Sequence, residues 1–77
     1  MKELLEYIVS QLVNHPEEVR VEERISNGDE VVLEVRVAPD DTGKIIGRQG
    51  RIAKAIRTVV KAAAVRDGRR VVVDILD

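Results

Sequence analysis

The 77 residues contain no cysteine, no tryptophan and no phenylalanine, and only one tyrosine. Without cysteine there is no disulfide framework and no thiolate zinc site. With one aromatic ring the chain cannot build a base-stacking sheet of the RRM or OB-fold kind. Histidine also occurs once, as His15 beside Pro16, with no serine or cysteine neighbour to form a nucleophile pair. Glu17, Glu18, Glu22 and Glu23 read as strand-surface charges. They lack the His or Cys company of a transition-metal site and the spacing of a calcium loop. No enzyme chemistry, metal or cofactor is therefore expected. No apolar run is long enough to span a bilayer. The start Met1-Lys2-Glu3-Leu4 carries an acid and turns amphipathic, unlike a secretory signal, so a cytoplasmic protein is expected.

What is present is charge, and it is unevenly placed. The net charge of −1 conceals two opposite halves. Met1 to Asp41 holds four bases and eleven acids, and Thr42 to Asp77 holds nine bases and three acids. Between Thr42 and Arg66 there are seven bases and no acid. A solvated helix face would explain a shorter run. A run this long that begins at a glycine loop points to an anionic partner.

The hydrophobic pattern gives one small domain, residues 1–77. Leu4, Leu5, Ile8, Val9, Leu12 and Val13 repeat at helical spacing and predict a helix over about 2–13, ended by Asn14-His15-Pro16. Val19, Val21 and Ile25 alternate with charges as a first strand, and Val31, Leu33, Val35 and Val37 form a second. Asn27-Gly28 signals a hairpin between them. An odd-length loop such as Ser26-Asn27-Gly28, with Gly28 left-handed, would set Val21 opposite Leu33 and Val19 opposite Val35, which buries both stripes on one face. Pro39-Asp40-Asp41-Thr42 stops the second strand and offers a helix N-cap. A short helix then runs to Ile46, and a longer one from about Arg51 to Arg66. On the longer helix Ile52, Ile56, Val59, Val60 and Ala63 share one face, with Lys54, Arg57 and Lys61 opposite. Asp67-Gly68 breaks it. Val71, Val73 and Ile75 alternate with Val72, Asp74 and Leu76 as the last strand. The result is an α+β fold of order α-β-β-α-α-β. Its three-stranded sheet is mixed, because a helical crossover joins strands two and three, and it carries helices on one face.

The stretch Gly43-Lys44-Ile45-Ile46-Gly47-Arg48-Gln49-Gly50-Arg51-Ile52 carries most of the functional information. Glycines let the backbone turn tightly and approach another chain. The residues between them are cationic and polar. The helix behind them would aim free N–H groups and a positive dipole end at the same place. The spacing is not G-x-G-x-x-G, and Gly43-Lys44 is followed by isoleucine where a Walker A loop needs Ser or Thr. A plain helix-turn-helix corner is the structural alternative. It rarely needs two glycines around Arg-Gln, and a DNA-reading helix would need polar recognition side chains that are missing after Gln49.

Ile45-Ile46-Gly47-Arg48-Gln49-Gly50 followed by Ile52 resembles the signature of a KH domain, the RNA-binding module with a GXXG loop. The element order resembles the type II, bacterial form of that fold. Length and organisation are similar to the small bacterial single-KH proteins of the KhpA type. The resemblance implies a groove for about four nucleotides of single-stranded RNA, between the loop with its helices and the sheet edge. Gly47, Arg48, Gln49 and Gly50 would pack on phosphates, with charge from Lys44, Arg48, Arg51 and Lys54. Ile45 and Ile46 are suited both to the groove floor and to the core, one to each. In the type II fold the other wall includes the loop before the last strand, which makes Arg69 and Arg70 further candidates and Arg36 a more distant one. The resemblance also implies homodimers, a partnership with a larger KH-containing protein (KhpB, also called Jag or EloR), and an RNA-chaperone or post-transcriptional role. It implies no small-molecule substrate and no membrane. Val32, Val72 and Leu76 fall on the sheet face away from the helices and form a candidate contact patch. Two rival functions remain: a KH-shaped protein-interaction module with an idle loop, and a single-stranded DNA binder.

Overall fold

The structure, a computed structural model, describes residues 1–26, 28 and 30–76. Its elements are α1 (Lys2–Ser10), β1 (Arg20–Ser26), β2 (Glu30–Arg36), α2 (Thr42–Ile46), α3 (Arg51–Arg66) and β3 (Arg70–Ile75). Three short 3-10 turns, Pro16–Glu18, Pro39–Asp41 and Arg48–Gly50, connect them. The expected α+β order is present. β2 is the central strand, antiparallel to β1 and parallel to β3, so the sheet is mixed. This is the type II KH arrangement.

Strand periodicity explains the layering. Val21, Val31, Leu33, Val35, Val71 and Val73 point to one face, where they meet Leu5 and Val9 of α1, Ile45 of α2, and Ile56, Val60 and Ala64 of α3 in one buried cluster. Full burial of each large aliphatic side chain contributes about 1.5–3 kcal/mol. All three helices therefore cover the same side of the sheet, and the other face stays open.

The hairpin keeps the expected parity but not the expected register. Val21 lies opposite Val35, and Ile25 opposite Val31. Three residues separate the paired Ser26 and Glu30, with Gly28 at φ +76° between them. The expected position of Asn27 in the turn falls outside the described residues. Shifting the pairing by two keeps every apolar stripe on the core face, as the pleat demands. It also sets Arg20 opposite Arg36 and Glu22 opposite Glu34. Turn position thus prevails over charge pairing, and the diagonal contact of Arg24 Nε to Glu34 Oε1 at 3.2 Å offsets part of the repulsion.

Three helix details differ from expectation. α1 ends at Ser10, before the predicted 13, although Val13 is still buried. The Ser10 hydroxyl donates back to the Tyr7 carbonyl at 2.8 Å, which competes with continued helix. On α3 the buried face is Ala53, Ile56, Val60 and Ala64. Val59 points outward and is 51% exposed. Asp41 occupies the N-cap position of α2 without making a side-chain cap bond. Its carboxylate is buried instead and accepts the backbone N–H groups of Asn14 at 3.1 Å and His15 at 2.9 Å.

Candidate nucleic-acid interface

The loop between α2 and α3 owes its shape to three residues with positive φ, Gly47, Gln49 and Gly50. Gly47 ends α2 at φ 76°, ψ 174°, a region open essentially to glycine alone. A Cβ there would collide with Ile52 Cγ1 and lie 2.9 Å from the Ile52 backbone nitrogen, so the loop folds tightly onto the first turn of α3. Gln49 is left-handed at φ 57°, and so is Gly50 at φ 75°. A Cβ on Gly50 would meet nothing within 4 Å, so this side of the loop is open. The two glycines differ in purpose: one admits the chain's own helix, and the other faces free space.

Backbone bonding shows which amides are available. The Gly47 N–H donates to Gly43 O at 2.9 Å, and the Gly50 N–H to Gly47 O at 3.1 Å. The Arg51 N–H is also used, by Arg48 O. Sequence reasoning offered the amides of Gly47 to Gly50 together. The structure consumes those of Gly47 and Gly50 within the turn. Among the described residues the Arg48 and Gln49 amides have no such partner. Around them Lys44, Arg48, Gln49, Arg51 and Lys54 are all exposed. None of these four cations makes an ion pair among the described residues.

The structure separates the two isoleucines. Ile45 is 0% exposed and belongs to the core, whereas Ile46 is half-buried beside the loop. Ile46 is thus the isoleucine that keeps part of its side chain at the surface.

Arg69 and Arg70 lie elsewhere. α3 is 16 residues long, about 24 Å at the helical rise, with the glycine loop at one end and these arginines past the other. They line an open depression of about 290 Å³ with Lys61, Val65, Val71, Val72 and Glu30. Arg36 stands on the open sheet face with Val37, Pro39, Thr42 and Leu76 around a second depression. It projects from the face opposite the helices.

Sequence reasoning missed the residue that joins these ends. Arg57 and Lys61 do not lie opposite the sheet. Arg57 is half-buried, and its Nε donates to the backbone carbonyl of Val73 at 3.1 Å, bridging α3 to the edge strand β3. With Lys61 beside Val71 and Val72, α3 and β3 run antiparallel, and the furrow between them opens into a depression at its Lys61–Arg69–Arg70 end. The i, i+3, i+7 spacing of Lys54, Arg57 and Lys61 was the available signal.

His15, Glu17 and Glu18 also depart from expectation. Glu17 and Glu18 sit in the turn before β1 and do have histidine company: potential ligand atoms of the three residues fall within 4.8 Å of one another. His15 Nδ1 is 3.6 Å from Glu17 Oε2. Both side chains are substantially solvent-exposed.

On the open sheet face Glu22, Glu34 and Asp74 form one row across three strands. Val32 and Val72 form the next row, with Val72 40% exposed. On α3, Ala55, Val59 and Ala62 make an exposed stripe without charge. No helix among the described residues is long and apolar enough to cross a membrane.

Comparison with known proteins matches this geometry. In fold, the chain is similar to part of a crystal structure of an Aquifex aeolicus Era variant bound to GDP·AlF4−, with TM-score 0.66 and 20% identity, over 96% of this chain and 28% of that one. In sequence it is 58% identical over 76 residues to the RNA-binding protein KhpA of Clostridium acetobutylicum, spanning 99% of this chain and 100% of that protein. It is 55% identical over 76 residues to the RNA-binding protein KhpA of Clostridium perfringens, with the same coverage. The family model for the KhpA/KhpB KH domain matches residues 2–75. An I-I-G-R-Q-G loop set between α2 and α3 of a type II sheet, together with these matches, places the chain in the KhpA/KhpB KH-domain family.

Proposed function

We propose that this chain is a single-stranded RNA-binding module that holds about four nucleotides along the loop and the α3–β3 furrow. The observation that carries this reading is the pair of unpartnered amides, Arg48 and Gln49, beside the open side of Gly50 and ringed by Lys44, Arg51 and Lys54. Phosphate oxygens suit those amides and charges. Ile46 offers a flat aliphatic surface to a base. Arg69 and Arg70 serve the far end of the same furrow. The name carried by the curated relatives supports RNA as the polymer. The reading is of one cytoplasmic domain that binds without catalysing, in an RNA-chaperone or post-transcriptional role.

One groove without aromatic stacking binds weakly and with little overall sequence preference, so useful affinity needs a second module. That module is a second copy of this chain or a larger KH-containing protein of the KhpB type. Two surfaces suit such an association. The open sheet patch of Val32, Val72 and Leu76 is interrupted by the Glu22–Glu34–Asp74 row. The Ala55–Val59–Ala62 stripe is uncharged and lets another helix approach closely, which favours it.

The test is the double substitution Arg48→Asp with Gln49→Asp. Arg48 is exposed, and aspartate tolerates the left-handed conformation at 49, so the fold persists. Gel shifts with single-stranded RNA are expected to vanish. An unchanged shift overturns the reading. Competition by single-stranded DNA of the same sequence separates the two polymers.

A further inference from the structure

From the contact between Arg57 and Val73 we infer a base-selecting element in the furrow, one that rests on the RNA-binding reading and goes beyond it. Arg57 favours, at one nucleotide position, a base with two adjacent hydrogen-bond acceptors on its edge, cytosine or guanine, over adenine or uracil.

The argument begins with the edge of β3. The Leu76 N–H donates to Val35 O at 2.9 Å, so residue 76 turns its backbone groups toward β2. Peptide groups alternate along a strand. Residues 72 and 74 therefore also face β2, and Val71, Val73 and Ile75 face the free edge beside α3. An open strand edge offers donors and acceptors in turn, which suits bases of several kinds. Here the acceptor at the middle of that edge is already taken, because Arg57 Nε donates to Val73 O at 3.1 Å.

Two consequences follow from the guanidinium's shape. The Val73 carbonyl already accepts one bond, which leaves it a single lone pair for an exocyclic amine of a base. The same bond fixes the plane of the guanidinium and leaves its two terminal NH₂ groups as a fork, with no other hydrogen bond or ion pair of Arg57 among the described residues. The Val73 N–H points to the same side. This part of the wall is therefore rich in donors and poor in acceptors.

Base edges then sort themselves. Cytosine presents N3 and O2 side by side, and guanine presents O6 and N7, the pair that an arginine fork grips in duplex DNA. Adenine interrupts its acceptors with the N6 amine. Uracil interrupts its own with N3–H. Only the first two give the fork two acceptors, and the other two set a donor against a donor.

The experiment measures fluorescence anisotropy of labelled octacytidylate, octauridylate and octaadenylate with the full chain and two variants. The wild type is expected to bind octacytidylate at least about fivefold more tightly than either other octamer, the lower end of what one bidentate contact supplies. Arg57→Lys keeps the charge and loses the fork, and Arg57→Met keeps the stem and frees the carbonyl. Both are expected to bring the ratio below about twofold. Nitrogen-15 spectra of the wild type give a reading independent of any variant: the Arg57 Nε signal is expected to move with octacytidylate and not with octaadenylate. Equal binding of all three octamers by the wild type overturns the inference alone, as does a ratio that survives Arg57→Lys. Failure of every octamer to bind overturns the RNA reading, and the inference with it.

Discussion

The buried carboxylate of Asp41 accepts the backbone N–H of His15 across 26 residues of sequence, at 2.9 Å. A second oxygen takes the Asn14 N–H at 3.1 Å. The end of the α1 region is thereby tied to the start of α2, and α2 leads directly into the glycine loop. Replacing Asp41 by alanine leaves two amides without their acceptor. Hydrogen bonds to a charged group contribute about 1.5–3 kcal/mol. Asp41→Ala is expected to cost about 3 kcal/mol and to lower the melting temperature by roughly 10–20 °C in a domain of this size. Thermal denaturation followed by circular dichroism checks it. A loss of only a degree or two would show that the tie is dispensable.

The two loop glycines are expected to respond differently to alanine. Gly47→Ala drives a methyl group into Ile52 in a glycine-only region of backbone space, at a cost of about 3 kcal/mol or more. Gly50→Ala meets open space and costs about 1 kcal/mol from left-handed strain. Urea titrations of the two variants give the comparison. Equal midpoints would contradict the assignment of the tight approach to Gly47.

The isoleucine pair separates stability from binding. Ile45→Ala removes a fully buried side chain and is expected to cost about 2–5 kcal/mol. Ile46→Ala touches the partly exposed neighbour, with a smaller loss of stability and a several-fold weaker RNA complex. If Ile46→Ala left binding unchanged, the aliphatic floor of the groove would have to be sought elsewhere.

Salt dependence reports how many phosphates are held. Three or four contacts on a single strand give a slope of log K against log salt of about −2 to −3. Substituting Lys54 by alanine is expected to make that slope shallower by roughly 0.7. A slope near zero would exclude phosphate capture as the main source of affinity.

Self-association distinguishes the two candidate contact surfaces. Val59→Lys places a charge in the apolar stripe of α3 and is expected to shift sedimentation to a monomer. Val72→Lys, beside the acidic row on the sheet, is expected to have little effect. The reverse result would make the open sheet face the interface.

Much of the architecture could be read locally. The period-two alternation at Val31–Val35 and Val71–Ile75 identified the core face of each strand, because a pleated chain sends alternate side chains to opposite sides. The helical spacing of Ile56 and Val60 gave the buried side of α3, and the position of Gly47 and Gly50 gave the bend. These signals need only neighbours within a few residues. Val59 was misread because a helix face on a wheel is broad, and only packing against the sheet shows where its border lies.

What the chain alone determined is the set of elements, their order, the odd parity of the hairpin, and the cationic loop ahead of α3. Tertiary structure decided the pairings that no local pattern encodes. It chose Ile45 over Ile46 for the core, took Asp41 from its capping role to bind Asn14 and His15, and swung Arg57 onto the edge of β3. Each choice depends on which backbone group is left without a partner once the layers pack. That is a property of surfaces brought together from distant parts of the sequence, where an unmet hydrogen bond costs more than any local preference.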